Sequence, residues 1–190
     1  MNQRSVPRSK ILKAAIDLFS SKGYSGTKMS EIAQNVGISV GALYLRFRNK
    51  QELCLELIKN QTKDFKELTK NLSVKDPLKA LKSYITLNLD YAFQKRQLLS
   101  LFMREHKLPF IYLLKKDFFK TQRKIIKDIL TDGVKKGVFR PMDTKEMSSM
   151  IFASIRGAIL LKLVFGVGDA KAISNSLFKL IINGIRKDMS

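Results

Sequence analysis

Apolar residues recur at three- and four-residue intervals along almost the whole chain, and no convincing apolar–polar alternation interrupts them. That spacing lines one face of a 3.6-residue helix, whereas a half-buried strand needs a period of two. The pattern predicts an all-α protein. Local punctuation then divides it. Ile11, Leu12, Ala15, Ile16, Leu18 and Phe19 share one face of a first helix over Arg8–Ser21, which Gly23 stops. Thr27 is placed to cap a second helix through Asn35, Gly37 turns the chain, and Ser39 caps a third, very short helix ending near Phe47. Asn49 followed by Glu52 has capping-box spacing and opens a fourth, longer helix to about Asn71. Asp76-Pro77 starts a helix to about Phe93, another covers Arg96–Glu105, and Pro109 opens a long one that stops at Gly137. Asp143 with Glu146, and then Asp169, open the last two, which end near Gly166 and Lys187. The expectation is nine helices, three short and six longer, with a seam near Lys50.

Two short helices joined by a glycine turn and packed on a preceding helix describe a helix-turn-helix. In "VGISVGALYLRF", Val36 to Phe47, the residues Ile38, Leu43 and Phe47 can anchor the third helix inward. Val40, Gly41 and Tyr44, with Leu45 and Arg46 at the rim, are left facing out. A helix of about two turns fits the major groove with its N-terminal end at the base edges. Ser39 can present a hydroxyl at a phosphate-attracting helix N-terminus. Gly41 lets the backbone approach, Tyr44 can hydrogen-bond a phosphate, and Arg46 can reach a phosphate or a guanine. Lys28 and Lys50 flank the element as clamps for the DNA backbone. Each residue also has a purely structural reading: Ser39 as a cap alone, Gly41 as a tolerated glycine, Tyr44 as a packing ring. The combination is more specific than its members.

Charge agrees without localising the site. The chain carries 36 basic against 16 acidic residues, a net charge of +20, which favours a polyanionic partner. Residues 1–50 hold nine basic and two acidic residues, a net of +7, and the remaining 140 hold a net of +13. A solvated lysine-rich surface is the alternative.

The segment "ILKAAIDLFSSKGYSGTKMSEIAQNVGISVGALYLRFRNKQEL" resembles the DNA-binding domain of the TetR/AcrR family of bacterial transcriptional regulators. Ile11, Ala14-Ala15, Leu18-Phe19, Gly23-Tyr24, Thr27, Ile32-Ala33, Gly37, Ser39, Gly41, Leu43-Tyr44, Phe47 and Lys50 carry the match, over about a quarter of the chain. The rest matches only in architecture, an all-helical effector and dimerisation domain of suitable length. The resemblance implies a DNA-binding domain over residues 1–49 and an effector-binding and dimerisation domain over 50–190. It places Thr27, Lys28, Ser39, Tyr44 and Lys50 at phosphate-contacting positions and Val40, Gly41, Leu45 and Arg46 on the base-reading face. Val40 departs from a position often lysine or another polar residue. Leu45 stands where a second aromatic is common, and Arg46 where histidine is common. Apolar residues there suit thymine methyls rather than polar readout.

One half-site reader this small binds weakly, so a homodimer is expected. The last two helices have apolar residues on two sides, one for the chain's own core and one for a partner protomer. Ile151, Ile155 and Ala158, with Leu177, Ile181 and Gly184, are the candidate interface; the alternative is that both helices are core of a monomer. Aromatic and methionine residues crowd the middle helices, as in a ligand pocket or an ordinary core. Ionisable residues beside them single out Tyr91, Phe102, Met103, His106, Phe119, Arg123, Phe152 and Arg156 as a candidate effector pocket. A buried arginine there needs an anion, either Glu105 or Asp128 or an amphipathic or anionic small molecule.

Cys54 is the single cysteine and His106 the single histidine, so neither an intrachain disulfide nor a metal cluster is expected. No phosphate-cradling glycine loop or nucleophile motif is present, and catalysis and a cofactor are not expected. The N-terminus lacks a signal-peptide apolar region, and Arg156 and Lys162 interrupt the most apolar stretch. The expectation is a cytoplasmic, ligand-responsive dimeric regulator, most naturally a repressor of a palindromic operator. The alternative is an architectural or protein-recruiting DNA binder without small-molecule control.

Overall fold

In the computed structural model of the chain, residues 6–70, 72, 76–105, 107–166 and 168–186 are described, and they form nine helices and no strand. These are α1 (Arg8–Gly26), α2 (Met29–Val36), α3 (Val40–Tyr44), α4 (Lys50–Lys70), α5 (Pro77–Gln94), α6 (Arg96–Arg104), α7 (Pro109–Lys135), α8 (Thr144–Phe165) and α9 (Ala170–Ile185). The all-α expectation holds.

Local chemistry accounts for most of the boundaries. Asp143 accepts hydrogen bonds from the backbone N–H groups of Lys145 and Glu146, Asp169 from those of Lys171 and Ala172, and Asp76 from those of Leu78 and Lys79. Each satisfies donors that the first helical turn leaves open. Asn49 accepts from Glu52 N at 2.8 Å, while the Glu52 carboxylate accepts from Arg48 N at 2.7 Å rather than from Asn49. Gly23 sits inside α1 at φ 81°, a conformation that breaks the helix there before a last turn to Gly26. Thr27 is not the cap of α2. That position belongs to Lys28, whose N–H donates to the Glu31 carboxylate at 2.9 Å.

The chain folds as two compact units, which do not divide at Lys50: Met1–Phe65 with Lys95–Tyr112, and Lys66–Gln94 with Leu113–Ser190. In the first, α1 packs on α2 and on α6. Ile11, Ala15, Phe19, Ile32, Ala33, Leu43, Leu53, Leu57 and Leu101 are fully buried there. Polar contacts fasten α6 to α1: Gln97 Nε2 donates to Asp17 Oδ1 at 2.6 Å, and Arg104 Nη1 to the Ser21 carbonyl at 2.9 Å. Just beyond α6, Glu105 Oε1 accepts from Tyr24 N at 2.8 Å.

In the second unit α5 packs on both α8 and α9. Tyr84, Leu81 and Ile85 are buried on α5, Ile151, Ile155 and Ile159 on α8, and Leu177 and Ile181 on α9. Thr86 and Ser174 share a hydroxyl hydrogen bond of 2.8 Å between α5 and α9. The chain leaves α7 through Gly137 at φ 68°, and Val138 N and Phe139 N both donate to the Gly133 carbonyl. Phe139 folds its buried ring onto the face of Gly133. Among the described residues α8 alone is long and apolar enough, by length and composition, to cross a membrane.

Candidate nucleic-acid interface

Three buried anchors hold α3. Leu43 within the helix, Phe47 just after it and Val36 before it all turn inward. The opposite side is open: Ser39, Val40, Gly41, Tyr44 and Leu45 are exposed, Tyr44 by 49% and Leu45 by 90%. A leucine this exposed gains nothing for the fold of one chain, because its apolar surface stays in water. Ser39 caps α3, accepting from Ala42 N at 3.1 Å, and Gly37 makes the preceding turn at φ 78°. Lys28 is exposed near the start of α2. Ser39, Val40, Gly41, Tyr44, Leu45 and Lys28 are therefore all accessible.

Three other expected contacts lie elsewhere. Thr27 is fully buried, with 0% exposure, and its hydroxyl donates to the Gly23 carbonyl at 2.8 Å. Its side chain braces the kink in α1 and presents nothing outward. Arg46 is half-buried and turns away from the open face, donating to the Val6 carbonyl. Arg8 completes that corner. It pairs with Glu56, donates to the Arg46 carbonyl at 3.2 Å and lies 4.2 Å over the Phe47 ring. Lys50 also folds inward: its ammonium donates to the carbonyls of Tyr24 at 2.7 Å and Thr27 at 2.8 Å, and lies 4.5 Å from the centre of the Tyr24 ring. These side chains fix the α1–α2 connection and the end of α3.

Sequence reasoning passed over Arg48, Gln34 and Asn35, which are exposed beside α3. Their signal was weak but present: all are polar, and Arg48 follows the inward Phe47 and Gln34 the inward Ala33.

The candidate effector residues are divided between the two units. Phe102 and Met103 belong to the first unit, Phe102 buried and Met103 exposed. His106 lies outside the described residues. Arg123 is exposed on α7, and Asp128 is taken by Lys124 at 2.7 Å. Four remain in the second unit, and three of these assemble: Phe119 meets Phe152 edge to face with centroids 5.2 Å apart, and the Arg156 guanidinium lies 5.1 Å from the Phe119 centroid. Tyr91, the fourth, is buried on α5. Glu105 is committed to Tyr24 N and not to an arginine.

The candidate dimer residues require a correction. Ile151, Ile155, Leu177 and Ile181 are buried within their own unit, and Ala158 is half-buried; Gly184 alone is exposed. The isoleucines face α5 and α9, so the intrachain core consumes that stripe. The open stripe of α8 lies one position over and comprises Met150, Ala153, Gly157, Leu160, Leu161 and Val164. On α9 it comprises Leu180, 72% exposed, and Gly184.

Comparison with known proteins bears directly on this architecture. The family model for bacterial regulatory proteins, tetR family, matches residues 11–57, which span the end-to-end core of the helix-turn-helix. The fatty acid metabolism regulator protein of Bacillus subtilis is 26% identical over 199 residues, covering 97% of this chain and 98% of its own. The HTH-type transcriptional regulator RutR of Escherichia coli K12 is 30% identical over 200 residues, covering 96% of this chain and 92% of its own. Among solved structures, the transcriptional regulator FadR of Bacillus subtilis in complex with stearoyl-CoA superposes with a TM-score of 0.80 at 23% identity, covering 95% of this chain and 100% of that one. With a helix-turn-helix of matching sequence and a relative aligned over nearly its full length, the chain belongs to the TetR family of bacterial transcriptional regulators.

Proposed function

We propose that the protein is a dimeric, ligand-responsive repressor whose α3 enters the major groove of a palindromic operator. One observation carries the reading: a five-residue helix is pinned by buried Leu43 and Phe47 while Val40, Gly41, Tyr44 and Leu45 stand open on its other side. Val40 and Leu45 meet thymine methyls, and Gly41 admits the DNA backbone. Lys28, Ser39 and Tyr44, joined by Arg48, contact phosphates. Thr27, Arg46 and Lys50 hold α3 in register from behind.

Residues 1–49 read DNA, and residues 50–190 carry the effector and dimer functions. The open apolar stripe of α8 and α9 pairs with its copy about a two-fold axis, its small residues Ala153, Gly157 and Gly184 permitting close approach. The relative solved with stearoyl-CoA supports a small-molecule effector here. Binding of that effector in the second unit favours a conformation whose paired α3 helices no longer match the half-site spacing. Helix α4, whose chain runs from the first unit into the second, carries the change. The regulator acts in the bacterial cytoplasm.

Selection of binding sites from random duplex DNA at two salt concentrations tests this. A palindrome recovered at both is the expected result. The net charge of +13 beyond residue 50 favours the second reading, an architectural binder, which instead yields motif-free enrichment that vanishes at the higher salt.

A further inference from the structure

Arg156 of the second unit is a half-buried cation. Arg156 projects from α8 over the Phe119 ring, and among the described residues no carboxylate pairs with it. Desolvation pulls its pKa down, and the phenol of Tyr84 and the ammonium of Lys115 are titratable neighbours. Tyr84 donates to Gln122 Oε1 at 2.7 Å. Gln122 is only 1% exposed, and its Nε2 has no hydrogen-bond partner among the described residues. Lys115, Phe119 and Gln122 follow one another on α7 at spacings of four and three, so they share one stripe of that helix. Lys115 too is held below the ordinary lysine range, by burial first and by Arg156 second.

The chemistry around Phe119 is one-sided. The Arg156 guanidinium and the Gln122 amide NH2 are donors, and neither can accept. A cationic or purely donating ligand is disfavoured there, and an apolar one leaves the buried Gln122 amide as costly as before. A planar guanidinium matches the two oxygens of a carboxylate or phosphate in a bidentate pair. The Phe119–Phe152 pair supplies an apolar wall beside that headgroup.

We propose that Arg156 and Gln122 receive the anionic headgroup of an acidic amphiphile, a carboxylate or phosphate, whose apolar part lies against Phe119 and Phe152. This rests on reading the second unit as the effector-binding one.

The test is calorimetric titration of the full chain with octanoate, octyl phosphate and octan-1-ol, which share a tail and differ in head. At least one acid is expected to bind tenfold or more tightly than the alcohol, and the stronger of the two identifies the headgroup. Arg156→Met is expected to abolish that preference, and Arg156→Lys to keep part of it. The melting temperature of R156M should be unchanged or raised, because removing a half-buried cation without a carboxylate partner among the described residues relieves rather than opens a pair. Equal binding of acid and alcohol, no binding of any probe, a preference surviving in R156M, or a marked fall in its melting temperature overturns the proposal. Operator binding is read on the same samples. Intact sequence-specific binding without acid preference overturns this inference alone, whereas loss of specific binding in the wild type overturns the regulator reading whatever the acids do.

Discussion

Replacing Lys50 by methionine separates two roles that a lysine at this position can have. Its ammonium donates to two carbonyls, of Tyr24 and Thr27, and sits over the Tyr24 ring. Hydrogen bonds to charged groups contribute roughly 1.5–3 kcal/mol each. The lysine is half-exposed, so water recovers part of that, and about 1 kcal/mol per bond is the appropriate scale. The ring contact adds roughly 0.5 kcal/mol at such a site. Methionine keeps most of the stem's packing, so the loss is chiefly polar. Lys50→Met should therefore destabilise the first unit by about 2.5 kcal/mol, read as a lower urea midpoint by circular dichroism. Operator affinity is then measured against salt. A lysine neutralising one phosphate contributes about 0.9 to the slope of log K on log salt. The structure predicts an unchanged slope. A slope reduced by about 0.9 with unaltered stability would refute the assignment of Lys50 to the α1–α2 connection.

Leu45→Ala should change stability by no more than about 0.5 kcal/mol, since the side chain is 90% exposed, while altering the selected operator sequence. Leu180→Glu places a charge in the open stripe of α9 and should shift the protein from dimer to monomer in sedimentation velocity, with helicity retained. Gly133→Ala drives a methyl group into the buried Phe139 ring and should cost about 1–3 kcal/mol in chemical denaturation, despite alanine's better helix propensity. Cys54 is fully buried and its thiol is pushed up to about 12, chiefly by burial. Iodoacetamide at neutral pH should label it only after unfolding, because the reactive thiolate is absent in the folded chain.

What could be read from the sequence was local. Asn49, Asp76, Asp143 and Asp169 announce helix starts because a side chain bonding its own backbone two or three residues on needs no tertiary partner. Leu43 and Phe47 are legible as anchors because one turn of helix separates them. The failures share a different physics. Thr27 can cap a helix or fill a core, and its spacing is the same in both. Arg46 and Lys50 have long side chains whose destinations are carbonyls far away in sequence, at Val6 and Tyr24. On α8, apolar residues lie nearly all round, so periodicity offers two stripes without saying which faces inward. Packing against α5 and α9 settled it in favour of the isoleucines. The pairing of α6 with α1 left no local trace at all, since Asp17 and Gln97 are 80 positions apart.

That last pairing limits how such a regulator can be re-engineered. Chimeras that exchange DNA-reading heads invite a joint at the start of α4, where the chain looks modular. A joint there would part α1 from the α6 it is hydrogen-bonded to, setting Asp17, Ser21 and Tyr24 against a stranger's side chains. The head of this chain is a discontinuous cassette, and a working transplant of it must bring residues 95–112 along with residues 1–65.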